Sequence, residues 1–110
     1  MEIAFNDPRY SDKAIVLTAL HNVMDPELFV NIIDLGLVFN IEFKGERTIV
    51  ITMTFSTRAC PLSDSIKMGV RNVLSMAFPE YEVDIIVVWE PEWNFTMLTP
   101  EGRKLLGLDR

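Results

Sequence analysis

The chain has 110 residues, a single cysteine and a formal net charge of −6. That length suits one domain with a core of its own. One thiol excludes an intrachain disulfide framework and predicts a reducing, cytoplasmic setting. An acidic balance with scattered Lys and Arg argues against a nucleic-acid surface.

The N-terminus, "MEIAFNDPRY", lacks the basic start and apolar run of a signal peptide. The longest apolar stretch, residues 85–89, is too short to span a bilayer, so no membrane partner is expected. Acidity keeps small proteins soluble; the alternative reading is an acidic face that docks a basic partner.

In chain order, residues 1–10 read as a loosely attached arm on a single domain spanning 1–110. A helix follows from about Ser11 to Met24, with Ser11 or Asp12 as its cap and Val16, Leu17, Leu20, Val23 and Met24 along one face. Asp25-Pro26 ends it, because proline disfavours a helical residue before it. Residues 26–35 show no clean period.

Residues 36–43 then alternate, with Leu37, Phe39, Ile41 and Phe43 on one side and Val38, Asn40 and Glu42 on the other. Residues 48–55 do the same, with Ile49, Ile51, Met53 and Phe55 inward. The "KGER" between them is a hairpin signal.

A second helix runs from Pro61 or Leu62 to about Phe78, with a stripe of Leu62, Ile66, Gly69, Val70, Val73 and Ala77. Residues 82–89 form a third strand, apolar on both faces except at Asp84, and are therefore expected to be central or covered. In the tail, Thr99 caps a short helix, Pro100 takes its first position and Gly107 ends it.

The predicted class is α+β: a two-layer α/β sandwich in the order α-β-β-α-β-α, its three-stranded mixed sheet carrying the helices on one face. The second face keeps Val38, Val50, Ile86 and Val88 among threonines, Asn40 and Glu42. Trp93, Phe95, Met97 and Leu98 of the tail either cover that strip, or it seeks a partner and the chain is a homodimer.

Few chemistries fit. The glycines form no phosphate-binding loop, and there is no GxSxG elbow. A structural zinc site needs four ligands, and this chain owns one Cys and one His. His21 reads as a solvated residue on the polar side of the first helix. Nothing in the sequence joins it to Cys60 as a hydrolase dyad.

Cys60 remains, in "TRACPL" between a strand and a helix. It is either a small packed thiol or, as the residue capping the second helix ahead of Pro61, a thiolate favoured by the free amides and dipole of that terminus. Arg58 adds positive potential and Asp64 opposes it. Iron–sulfur clusters normally take four thiolates, so one cysteine would hold a cluster transiently or bridge it across a dimer.

Three separated segments resemble the SufT- and PaaD-like family of small iron–sulfur cluster assembly proteins: "MDPELFVNIIDLGLVFNIEF", "ITMTFSTRACPL" and "VVWEPEWNFTMLTPEGRKLLG". Asp25, Pro26 and Glu27 match its DPE segment. Asp34, Leu35 and Gly36 match its DLG turn, and Thr57, Cys60 and Pro61 match its cysteine loop. Trp89, Pro91 and Trp93 match its tail. Arg58 stands where the usual loop has proline, and Ala59 where it often has glycine.

The resemblance implies a fold similar to the C-terminal domain of NifU-type scaffolds. It also implies a non-enzymatic role in cluster assembly or targeting, with assembly proteins and client apo-proteins as partners. The loop cysteine would be the functional residue; in the PaaD-like branch the client is an oxygenase of phenylacetate breakdown.

Cys60 is thus the expected metal ligand, and Thr57, Asp25 and Glu27 are the expected cluster-binding neighbours. Asp25 and Glu27 would add hard oxygen ligands to a soft sulfur if their loop meets the thiol. Asp34 reads as ordinary turn chemistry. The alternatives are a pure adaptor with a structural Cys60, or a small thiol enzyme.

Overall fold

The sheet is organised by a hairpin. In the computed structural model, which describes residues 3–58 and 60–108 (Cys60 through its backbone alone), β1 (Val38–Lys44) and β2 (Thr48–Met53) pair antiparallel. Lys44 faces Thr48 across a three-residue loop, and Gly45 supplies its left-handed backbone at φ 58.

α2 (Cys60–Ala77) then carries the chain to β3 (Glu82–Val87), which lies parallel to β2. α1 (Tyr10–Leu20) packs on α2 and β1. A 3₁₀ turn, Phe95–Met97, and α3 (Pro100–Leu105) complete the tail. This is the expected α-β-β-α-β-α order around a three-stranded mixed sheet.

The core lies between helices and sheet. Val16 and Leu20 of α1, Ile66, Val70 and Leu74 of α2, and Ile41, Ile49, Ile51 and Met53 of the sheet are all buried. Leu74, not expected in this stripe, lies in it, whereas Ala77, assigned to it, is exposed at the C-terminal end of the helix.

Several local expectations are corrected. Asp7 and Arg9 of the arm make contacts with the folded chain. Asp7 accepts from the Arg9 amide at 2.8 Å and pairs with Lys13 at 2.7 Å, while Arg9 stacks on Phe43 at 4.4 Å. Neither Ser11 nor Asp12 caps the helix: α1 begins at Tyr10 after Arg9, with no side-chain cap bond.

α1 also stops at Leu20 rather than Met24. Val23 leaves the helix because its carbonyl accepts from the Ile32 amide, and Met24 bridges to Asn31. In β1 the register shifts between Val38 and Asn40, so Phe39 is an extra residue. The bulge returns Val38 to the core side with Ile41 and breaks the alternation predicted for residues 37–39.

β3 was expected to be central or covered. It is an edge strand beside a central β2, and Ile86 on its outer face is 46% exposed. The tail does not cover that face: it packs on the 31–37 loop, where Trp93 Nε1 donates to the Leu35 carbonyl at 2.6 Å and Leu98 is buried.

The amides of Glu82 and Val88 bond to Arg47 and Met53 on the β2 side. By alternation, Val83, Ile85 and Val87 turn their backbone groups to the free edge. There Arg71 of α2 donates to the Val83 carbonyl at 2.6 Å. No helix among the described residues is long and apolar enough to cross a membrane.

Candidate functional site

Three loops converge beyond the carboxyl ends of β2 and β3. The Thr54 amide, just past β2, donates to the Leu37 carbonyl at 2.8 Å, and the Thr99 amide donates to the Asp34 carbonyl at 2.9 Å. The loop of residues 23–37, the loop of residues 54–58 and the tail from Val88 onward are thereby stitched into one surface, from which α2 departs.

Asp25 holds the first two loops together. It is fully buried; Oδ1 accepts from the amides of Glu27 at 2.8 Å and Leu28 at 3.0 Å, and Oδ2 accepts from Ser56 Oγ at 3.2 Å. The first two bonds are the Asx-turn chemistry of aspartate before a tight turn. The third reaches into the segment that leads to Cys60. The Asp25 carbonyl accepts from the Phe29 amide, and Phe29 adopts φ 58 with its ring 77% exposed. A bulky residue in the left-handed region persists only where its surroundings enforce it.

Asp34 holds the tail. It accepts from Asn31 Nδ2 and Thr99 Oγ1, both at 2.7 Å, and Thr99 Oγ1 in turn accepts from the Gly102 amide at 3.0 Å, capping α3. The turn role expected of Asp34 is thus extended into a tie between loop and helix. Gly102 is needed because a Cβ there would collide with the Asp34 carbonyl.

Between the 55–58 segment and the tail lies a cleft of about 330 Å³. Trp89 packs against buried Phe55 with ring centroids 6.0 Å apart, and the Arg58 guanidinium lies 4.3 Å from the centroid of the Trp89 ring. Trp93, fixed by its bond to Leu35, and exposed Glu92 form the tail side; Ser56 and Thr57 line the loop side.

The expected site residues separate as follows. Asp25 reaches the cysteine loop through Ser56, and Thr57 lines the cleft. Glu27 is exposed and contributes its amide to Asp25. The thiol of Cys60 and residue Ala59 lie outside the described residues. The Cys60 backbone is the first residue of α2, one position inside the cap role assigned to it. His21 is exposed at the end of α1, its Nδ1 2.9 Å from the Leu17 carbonyl oxygen. Among the described residues, no three of His, Cys, Asp and Glu gather as a metal-binding group.

Ser56 and Glu92 were not singled out from the sequence. Ser56 carries no signal beyond its place ahead of the cysteine; Glu92 stands between Trp89 and Trp93, which is the one pointer available.

The iron–sulfur cluster assembly protein family matches residues 13–88. The chain is 35% identical over 92 residues to an Fe-S protein maturation auxiliary factor of Porphyromonas gingivalis, covering 84% of this chain and 88% of that protein. It is 31% identical over 96 residues to the Fe-S protein maturation auxiliary factor YitW of Bacillus subtilis, covering 87% and 94%. Among solved structures, a domain of unknown function, DUF59, from Bacillus anthracis superposes with a TM-score of 0.80 at 35% identity, covering 91% of this chain and 98% of that one.

Proposed function

The chain belongs to the iron–sulfur cluster assembly protein family, and from that premise we propose that it is a non-catalytic, cytoplasmic maturation factor whose Cys60 thiolate holds an iron–sulfur cluster transiently as cargo. The reading is carried by the Asp25–Ser56 bond, which ties the DPE-type turn to the segment running into Cys60. Cys60 opens an 18-residue helix, and the dipole of such a terminus favours an anion.

In this reading Asp25 and Thr57 set the loop, and Glu27, on the same turn as Asp25, offers a hard oxygen to iron. One cysteine supplies a quarter of the thiolates a cluster normally takes. The other ligands come from a cluster donor, from a client apo-protein or from a second copy of this chain. A second copy has the open face of β3 to use, where Ile86 is exposed and Val88 half-buried.

Anaerobic reconstitution with iron and sulfide tests the ligand role. Charge-transfer absorption that Cys60→Ser removes is the expected result. Equally colourless wild type and variant would make the protein a docking adaptor with a structural cysteine. Light scattering on wild type and Ile86→Lys tests the copy: a monomeric wild type at micromolar concentration removes the homodimer from this account.

A further inference from the structure

We propose that the cleft beside Trp89 is a receptor for a basic side chain of a protein partner, and that Arg58 fills it as an internal stand-in until that partner arrives. A guanidinium 4.3 Å from an indole centroid is the geometry of a cation–π pair, for which tryptophan is the best acceptor. The receptor half is fixed: Trp89 rests on buried Phe55, and Trp93 is locked to the Leu35 carbonyl. The occupant is a long, exposed side chain on a loop, able to swing out without disturbing the core.

The charge around the cleft selects the same class. Glu92 lines it, exposed Glu90 stands two residues away, and Arg58 is the only base among its described lining residues. With Arg58 displaced, the site holds one carboxylate, two indoles and the hydroxyls of Ser56 and Thr57. That set suits a guanidinium or ammonium and repels a carboxylate. The net charge of −6 draws the same partners.

The maturation reading enters only in saying who carries the basic side chain, namely a cluster donor or recipient approaching beside Cys60. The binding itself does not depend on it.

The test uses the full chain as apo Cys60→Ser protein. Tryptophan fluorescence is titrated with the blocked pentapeptide Gly-Gly-Arg-Gly-Gly and with its neutral citrulline counterpart. The arginine peptide is expected to give a saturable change and to bind about tenfold tighter than the citrulline one. Arg58→Ala, which empties the cleft, is expected to tighten arginine-peptide binding about two- to fivefold. Trp89→Leu, followed by titration calorimetry because the variant lacks the reporting indole, is expected to abolish it, and Glu92→Gln, at an exposed position, to weaken it.

Equal binding of the two peptides overturns the proposal, as does an Arg58→Ala protein that binds no tighter. A glutamate-bearing peptide that binds better, through Arg58, would make the site an anion receptor and also overturn it. So would a peptide-free Arg58→Ala emission that shifts with protein concentration, since a second copy would then fill the cleft. Cluster reconstitution on the Cys60-bearing chain is scored separately, so either result stands without the other.

Discussion

Asp25 and Ser56 are 31 positions apart in sequence and joined by a 3.2 Å hydrogen bond from the serine hydroxyl to a fully buried carboxylate. Removing the carboxylate takes the acceptor from two amides and a hydroxyl, all part-buried. Asp25→Ala should therefore cost about 2–4 kcal/mol and lower Tm by on the order of 10 °C. Ser56→Ala removes one bond and should cost about 1 kcal/mol. Both variants should also slow the cluster uptake proposed for Cys60, at temperatures where circular dichroism still reports a folded chain.

Thr99 both donates to Asp34 and accepts from the Gly102 amide. Thr99→Ala should lose about 1–2 kcal/mol, the upper range for a helix cap. Gly102→Ala should lose more, because its new methyl group meets the Asp34 backbone rather than a side chain that can turn away. Urea midpoints of the two variants give the order.

Thr54 is fully buried, and its hydroxyl finds no hydrogen-bond partner among the described residues. Valine has the same shape without the hydroxyl to desolvate. Thr54→Val should stabilise the fold by about 1 kcal/mol. A loss of stability would reveal a bond to that hydroxyl.

Lys13, then the Arg9 amide, hold the Asp7 carboxyl below its ordinary value of 3.8. A depressed carboxylate favours the fold when ionised. Its contribution is complete above 3.8 and is lost as pH falls through the lower folded value. Asp7→Asn should thus be less stable than wild type near neutral pH, and the two should converge in strong acid, as urea midpoints across pH will register.

The start of α2 bears on the thiol. If the helix terminus favours the thiolate, alkylation of native protein should reach half its maximal rate below about pH 8.5. A midpoint at or above that value, or a native thiol that does not react, would favour a packed cysteine.

Much of this fold is legible because its signals are local. The alternation of Ile49, Ile51 and Met53, the "KGER" turn and the Thr99-Pro100 start each act within a few residues, and each element formed where expected. The misses share a distant cause. Val23 keeps the helical period, yet its carbonyl is taken by Ile32, and the turn that brings Ile32 back is closed by Asp25. The bulge at Phe39 is a matter of register, which polarity does not encode.

At the site, Asp25 was readable as a turn former. Its burial and its bond to Ser56 depend on two loops meeting. The stack of Arg58 on Trp89 likewise depends on the parallel register that carries the ends of β2 and β3 side by side.

The Arg71 bond to Val83 has a consequence for life in a crowded cell. A six-residue edge strand whose outward carbonyls lack a strand partner is a template onto which another unfolded chain can add. The guanidinium occupies one of the acceptors that an incoming strand would need, and its charge would have to be stripped of water for a neighbour to settle there. One side chain on the helix packed against this sheet thus makes growth from the edge unfavourable at its first step, leaving the sheet three strands wide.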